Sequence, residues 1–150
     1  MGSFQINRHH SDNCGTGGTG GTGGTECRPA LDLSSPAGQG TFDITNIELD
    51  GDLLVVHFHG KVEGYGTVIV SHEYNQTIPE CSGGTLVGSG QGILDNGDVV
   101  RGTHRGTFTR ESGMLTGYFT DVVTNGDKNF VKFEVDLINR SAKVSYYSLN

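Results

Sequence analysis

From Thr41 onward the sequence is punctuated by short turn signals that leave room between them only for strands. Asp50-Gly51-Asp52, Asp95-Asn96-Gly97, Glu111-Ser112-Gly113 and Asn125-Gly126-Asp127 are hairpin connections of the kind that needs positive φ. Between these signals apolar residues alternate with polar ones, and no segment carries a helical period. The pattern predicts eight strands, over residues 41–49, 53–63, 65–74, 85–93, 98–109, 114–124, 128–138 and 142–149. Only residues 75–84, with Pro79 and Cys81, read as a longer loop. Short connections between successive strands make an up-and-down antiparallel meander, and eight strands are about the number that closes into a small barrel. The expected fold is therefore all-β, an eight-stranded antiparallel up-and-down barrel. Closure removes the exposed edge strands that a flat sheet would carry. Glycines within the predicted strands (Gly60, Gly66, Gly88, Gly90, Gly102, Gly106, Gly117) suit the bends of a tightly curved wall.

Residues 1–40 are of different composition. They hold a Thr-Gly-Gly repeat running from Gly15 to Thr25, flanked by Cys14 and Cys27, and contribute heavily to the 25 glycines of this 150-residue chain. Gly and Thr bury little, and glycine loses the most backbone entropy on ordering, so this stretch is expected to be a flexible arm preceding a barrel domain at 41–150. A phosphate-binding loop is disfavoured, because no Gly-Lys-Ser/Thr follows and no strand precedes it. A Cys14–Cys27 bridge is chemically feasible, and the sequence leaves it open.

Charge and hydropathy narrow the partners. A net charge of −7 without a Lys/Arg cluster lacks the electrostatic footprint of a nucleic-acid binder. No apolar run approaches the ~20 residues of a membrane-spanning helix, and no apolar signal core follows Met1. Three cysteines fit neither a metal-ligand spacing nor an even disulfide framework, which suggests a reducing, cytoplasmic setting.

Alternation assigns the inward side chains. In 128–138 they are Asn129, Val131, Phe133, Val135 and Leu137; in 98–109, Val100, Gly102, His104, Gly106 and Phe108. In 65–74 the favoured inward set is Val68, Val70, His72 and Tyr74, which brings His72 and Tyr74 near one rim. Strand 114–124 is nearly balanced: one face would put Asp121 in the lumen with Leu115, Phe119 and Val123, the other Tyr118. A lumen holding His104, His72, Tyr74 and Asp121 among Phe108, Phe119, Phe133, Val100 and Val131 is the shape of a small-molecule site. Its ionisable groups would be tuned by desolvation for acid–base work.

A second cluster is Gly51-x5-His57-x-His59-x3-Glu63, two histidines and a carboxylate that could ligate one divalent metal. It resembles the first motif of the cupin family, which would imply a metal-dependent enzyme using His57, His59 and Glu63. The second cupin motif is not matched: the proline is missing before His104, and Phe108 stands where that family has asparagine. Moreover Leu54, Val56, Phe58 and Val62 make the apolar face of the same strand, which places His57, His59, Lys61 and Glu63 outside.

The glycine-spaced hairpins of 85–138 (Gly88-Ser89-Gly90-Gln91-Gly92, Gly102-Thr103-His104-Arg105-Gly106-Thr107-Phe108 and Gly113-Met114-Leu115-Thr116-Gly117) look like those of the allene oxide cyclase-like barrels, a group that includes dirigent proteins. That resemblance implies a hydrophobic lumen, no obligatory cofactor and a homodimer or homotrimer. Together the residues and the resemblance suggest a cofactor-independent cyclase or isomerase for an apolar, polyketide- or lipid-like small molecule. A non-enzymatic carrier using the same lumen is the alternative.

Overall fold

The computed structural model describes residues 32–150, of which 36–150 form one compact unit. Eight strands follow one another: β1 (Gly38–Asp50), β2 (Leu53–Val62), β3 (Gly66–Asn75), β4 (Gly83–Ile93), β5 (Val99–Glu111), β6 (Met114–Val123), β7 (Lys128–Asp136) and β8 (Ser141–Ser148). Each pairs antiparallel with its sequence neighbour, and β1 pairs with β8 to close the barrel. The only helical element among the described residues is a single 3-10 turn, Pro79–Cys81, in the β3–β4 loop. None is long and apolar enough to cross a membrane.

The strands lie where the turn signals place them, with end shifts of up to three residues. β1 starts at Gly38 rather than Thr41, because Gly38 pairs with Tyr146 and the Ala37 N–H donates to the Tyr146 carbonyl. The ladder thus reaches into the stretch assigned to the arm. The rest of that arm, with Cys14 and Cys27, lies outside the described residues. β5 runs on to Glu111, so the β5–β6 turn narrows to Ser112-Gly113, and it is Ser112 that takes the positive φ of 57°. In the other three hairpin signals the glycine does so, at Gly51, Gly97 and Gly126.

The inward faces are those set by alternation. Asp121, Leu115, Phe119 and Val123 point into the barrel, whereas Tyr118 is exposed. Because the chain runs up and down, one end of the barrel carries the β1–β2, β3–β4, β5–β6 and β7–β8 connections. That end is plugged by Leu54, Tyr74, Leu86, Phe108, Leu115 and Val135, each at most 5% exposed. Tyr74 and Phe108 meet edge-to-face at 5.1 Å, and above them Phe133 contacts Phe58 and Phe42 at 4.9 and 5.4 Å. Each such ring contributes about 1.5–3 kcal/mol by leaving water, and each edge contact roughly 0.5–1.5 kcal/mol more. The opposite end, bearing the β2–β3, β4–β5 and β6–β7 turns, is where the lumen stays unfilled.

Candidate active site in the barrel lumen

The site is one lateral row of the barrel. Register places His72 of β3 opposite Gly88 of β4, Gly88 opposite His104 of β5, His104 opposite Asp121 of β6, and Asp121 opposite Asn129 of β7. Gly88 has no side chain, so the imidazoles on either side of β4 reach each other across it: His72 Nε2 lies 2.8 Å from His104 Nδ1. A Cβ at Gly88 would stand 2.5 Å from His72 Cδ2. The next row repeats the device, with Val70 opposite Gly90 and Gly90 opposite Gly102. There a Cβ at Gly102 would fall on Asp121 Oδ1, and one at Gly90 would press on Val70 Cγ2 and the Ile69 carbonyl. Gly88, Gly90 and Gly92 thus leave the inner wall of β4 bare over half its length, and that bare wall makes the cavity.

Hydrogen bonds run along the row. Tyr74, two residues from His72 on β3, has its hydroxyl 3.0 Å from His72 Nδ1, and His104 Nε2 faces Asp121 Oδ1 at 3.3 Å. A carboxylate only accepts, so His104 carries its proton on Nε2 and accepts at Nδ1. His72 then donates from Nε2, and its Nδ1 accepts from the Tyr74 hydroxyl. The sense of the chain is therefore Tyr74 to His72 to His104, and the His104 Nε2–H is left facing Asp121 Oδ1 without a bond to it. Burial drives the His72 pKa well below the ordinary histidine value, helped by His104, and burial pushes the Tyr74 phenol up. Both groups are thus held neutral. The inner half of the chain fixes the tautomer and orientation of His104 rather than carrying charge inward.

The last link is loose. His104 Nε2 and Asp121 Oδ1 are close but misaligned, so the buried Oδ1 accepts no hydrogen bond, while Oδ2 receives a long one of 3.5 Å from Asn129 Nδ2. The Nε2–H and the Oδ1 lone pairs are therefore both open to a ligand in the cavity. His104 is kept in plane by stacking on Phe119, ring centroids 4.6 Å apart.

Above this row lies a cavity of about 80 Å³, walled by Val68, Val70, Val100, Val123, Phe119 and Val131, with His72, His104, Asp121 and Asn129 on one side. Its space matches roughly three waters, the size of the reacting end of a larger molecule. The structure brings together all four residues singled out for chemistry: His104, His72, Tyr74 and Asp121. Tyr74, however, approaches the plugged rim, is fully buried and reaches the cavity only through His72. Of the expected wall residues, Phe119, Phe133, Val100 and Val131 line the space. Phe108 does not; it packs below on the Tyr74 ring as part of the plug.

Alternation gives Asn129 an inward position but no role, and Tyr65, the first residue of the strand expected over 65–74, has neither. Tyr65 instead sits in the β2–β3 turn and bends over the lumen, its hydroxyl donating to Asp127 Oδ2 at 2.6 Å and accepting from Asn129 Nδ2 at 3.1 Å. The signal was the glycine on either side of it. The half-motif of the metal reading stands on the outer wall: His57 faces Glu48 at 3.4 Å, and His59 and Glu63 are exposed. That places the three residues away from the lumen, and among the described residues no group of three or more His, Cys, Asp or Glu is placed to hold a metal ion. No protein-family model matches the chain, and no curated protein or solved structure does either. The functional reading therefore rests on the geometry of the lumen.

Proposed function

We propose that the barrel is a cofactor-independent isomerase or cyclase that moves a proton on an apolar small molecule whose reacting end enters the lumen. The observation that carries this is the buried Tyr74–His72–His104–Asp121 chain ending on an unsatisfied carboxylate oxygen beside an apolar cavity. Asp121, poorly solvated, is the base that takes a proton from a carbon next to a carbonyl. The C–H electron pair becomes a carbon–carbon double bond and the carbonyl π pair passes to oxygen, where the His104 Nε2–H donates to the developing enolate. Asp121 then gives the proton back: to a different carbon of a conjugated enolate, which yields an isomer, or to the oxyanion formed when the enolate carbon adds to a second carbonyl of the molecule and closes a ring. His72 and Tyr74 are positioning residues, and the valines and Phe119 exclude water from the enolate. The 80 Å³ of space takes one end of a polyketide- or lipid-like molecule, with the remainder at the mouth.

The test is hydrogen–deuterium exchange next to the carbonyl of cyclopentanone and cyclohexanone in D2O, followed by NMR. Exchange above the buffer rate is expected for the protein and is expected to vanish in His104→Ala and Asp121→Asn. Exchange that survives both substitutions removes the assignment. The mainly apolar walls also suit a carrier, and ketone binding with no exchange would decide for that.

A further inference from the structure

We infer that Tyr65 is the latch of the cavity, the residue that sets which molecules reach Asp121 and how fast. In the closed strand order the β2–β3 turn stands across the lumen from the β6–β7 turn. Tyr65, in the first turn, nevertheless hydrogen-bonds Asp127 in the second at 2.6 Å, and Asn129 beside it at 3.1 Å. Its ring therefore spans the open end and forms part of the cavity wall. Tyr146 closes the gap on one side, edge-on to Tyr65 at 5.3 Å, with its own hydroxyl anchored on the Glu63 carbonyl at 2.8 Å.

The fixing of the bar differs at its two ends. At the Asp127 end it is held by two hydrogen bonds. At the other end Tyr65 lies between Gly64 and Gly66, with φ of 84° and 73°, in a tight turn closed by its own N–H on the Val62 carbonyl at 3.0 Å, so the ring opens by rotating about its own side-chain bonds. Gly92 lets the turn pack close on β4, since a Cβ there would come within 3.0 Å of the Tyr65 carbonyl. Swinging the ring away breaks those two bonds and disturbs nothing in the plug. Burial and the Asp127 carboxylate push the Tyr65 phenol up, so it stays protonated and able to donate. Closed, the latch limits the lumen to about 80 Å³; open, it lets a longer molecule project from the mouth.

This inference rests on the lumen being a ligand site, and its test reads binding separately from proton transfer. Methyl NMR of the cavity valines is recorded while cyclic ketones of increasing ring size, from cyclopentanone to cyclododecanone, are added to the protein, to Tyr65→Phe and to Tyr65→Ala. The unaltered protein is expected to bind the small rings only. Tyr65→Phe keeps the ring and loses the latch, so its size limit should stay while association quickens about ten- to a hundredfold, the factor a hydrogen bond to a charged group is worth. Tyr65→Ala should admit the largest rings. A size limit shared by Tyr65→Ala and the unaltered protein, or an association rate unchanged in Tyr65→Phe, overturns the latch. Binding without carbonyl-side exchange leaves the latch standing and removes the isomerase; no binding in any of the three proteins removes both.

Discussion

His72 is the residue whose environment gives the sharpest test. It is completely buried, ringed by Phe58, Phe119 and Phe133 at 5.6, 5.1 and 4.9 Å, and its only polar neighbours are His104 and Tyr74. No carboxylate touches it, so nothing offsets the loss of hydration on protonation, and the folded chain keeps it neutral well below its ordinary value of 6.5. The stability associated with this neutral ring is fully present above that value. Below it the unfolded chain binds a proton here and the folded chain does not, so stability falls, by as much as about 1.4 kcal/mol per pH unit. Between about pH 7.5 and about pH 5 the loss assignable to His72 is then at most roughly 2 kcal/mol. Asp32 and Asp136, which hydrogen bonds hold below the usual carboxylate value, act only at lower pH. The assay is urea unfolding followed by far-UV circular dichroism, since the chain has no tryptophan, comparing the protein with His72→Phe across that range. The substitution alters stability at every pH, and what counts is the difference in slope. Parallel pH dependences would refute the argument. A wild-type chain that gained stability on acidification would mean that His72 is an imidazolium paired with Asp121 through His104.

Three further outcomes follow from the geometry. Gly102→Ala should push the Asp121 carboxylate off His104 and abolish ketone exchange while the circular dichroism spectrum stays that of a barrel; retained exchange would show that the His104–Asp121 contact is dispensable. Asp121→Asn keeps the shape but removes the base, and should lower exchange by about a hundred- to ten-thousandfold, read as an initial rate at fixed ketone concentration. Phe58→Ala opens a hole beside Phe42 and Phe133 in a fully buried position and should cost about 3–5 kcal/mol, read from the urea midpoint.

Much of the fold was legible because strand period and turn chemistry are local. Val131, Phe133 and Val135 alternate so cleanly with Lys132 and Glu134 that their side of the wall is fixed by composition alone. The balanced strand, Met114–Val123, was harder, since Tyr118 and Val122 are as apolar as Phe119 and Val123. There the structure puts the carboxylate inside, because His104 lies opposite it and Gly102 leaves it space. The four chemical residues could be named, but not their order. That order depends on register across three strand pairs, which no single strand encodes. Tyr65 was missed for a related reason: its partners, Asp127 and Asn129, are more than sixty residues away and meet it only when the barrel closes. Phe108 shows the remaining limit, since alternation gives a side chain's face but not its depth.

The site row draws one residue from each of five successive strands, and this gives the hairpin turns a second duty. A slip of two residues in any one hairpin would leave every side chain on its proper face and the core still apolar, because strand period is two. It would nonetheless set His72 against Gly90 or Leu86 instead of Gly88, or His104 against Phe119 or Val123 instead of Asp121. The barrel could absorb such an error; the proton chain could not. Turns such as Asp95-Asn96-Gly97 and Ser112-Gly113, which supply no group to the site, thus act as the spacers that keep five independent strands in phase.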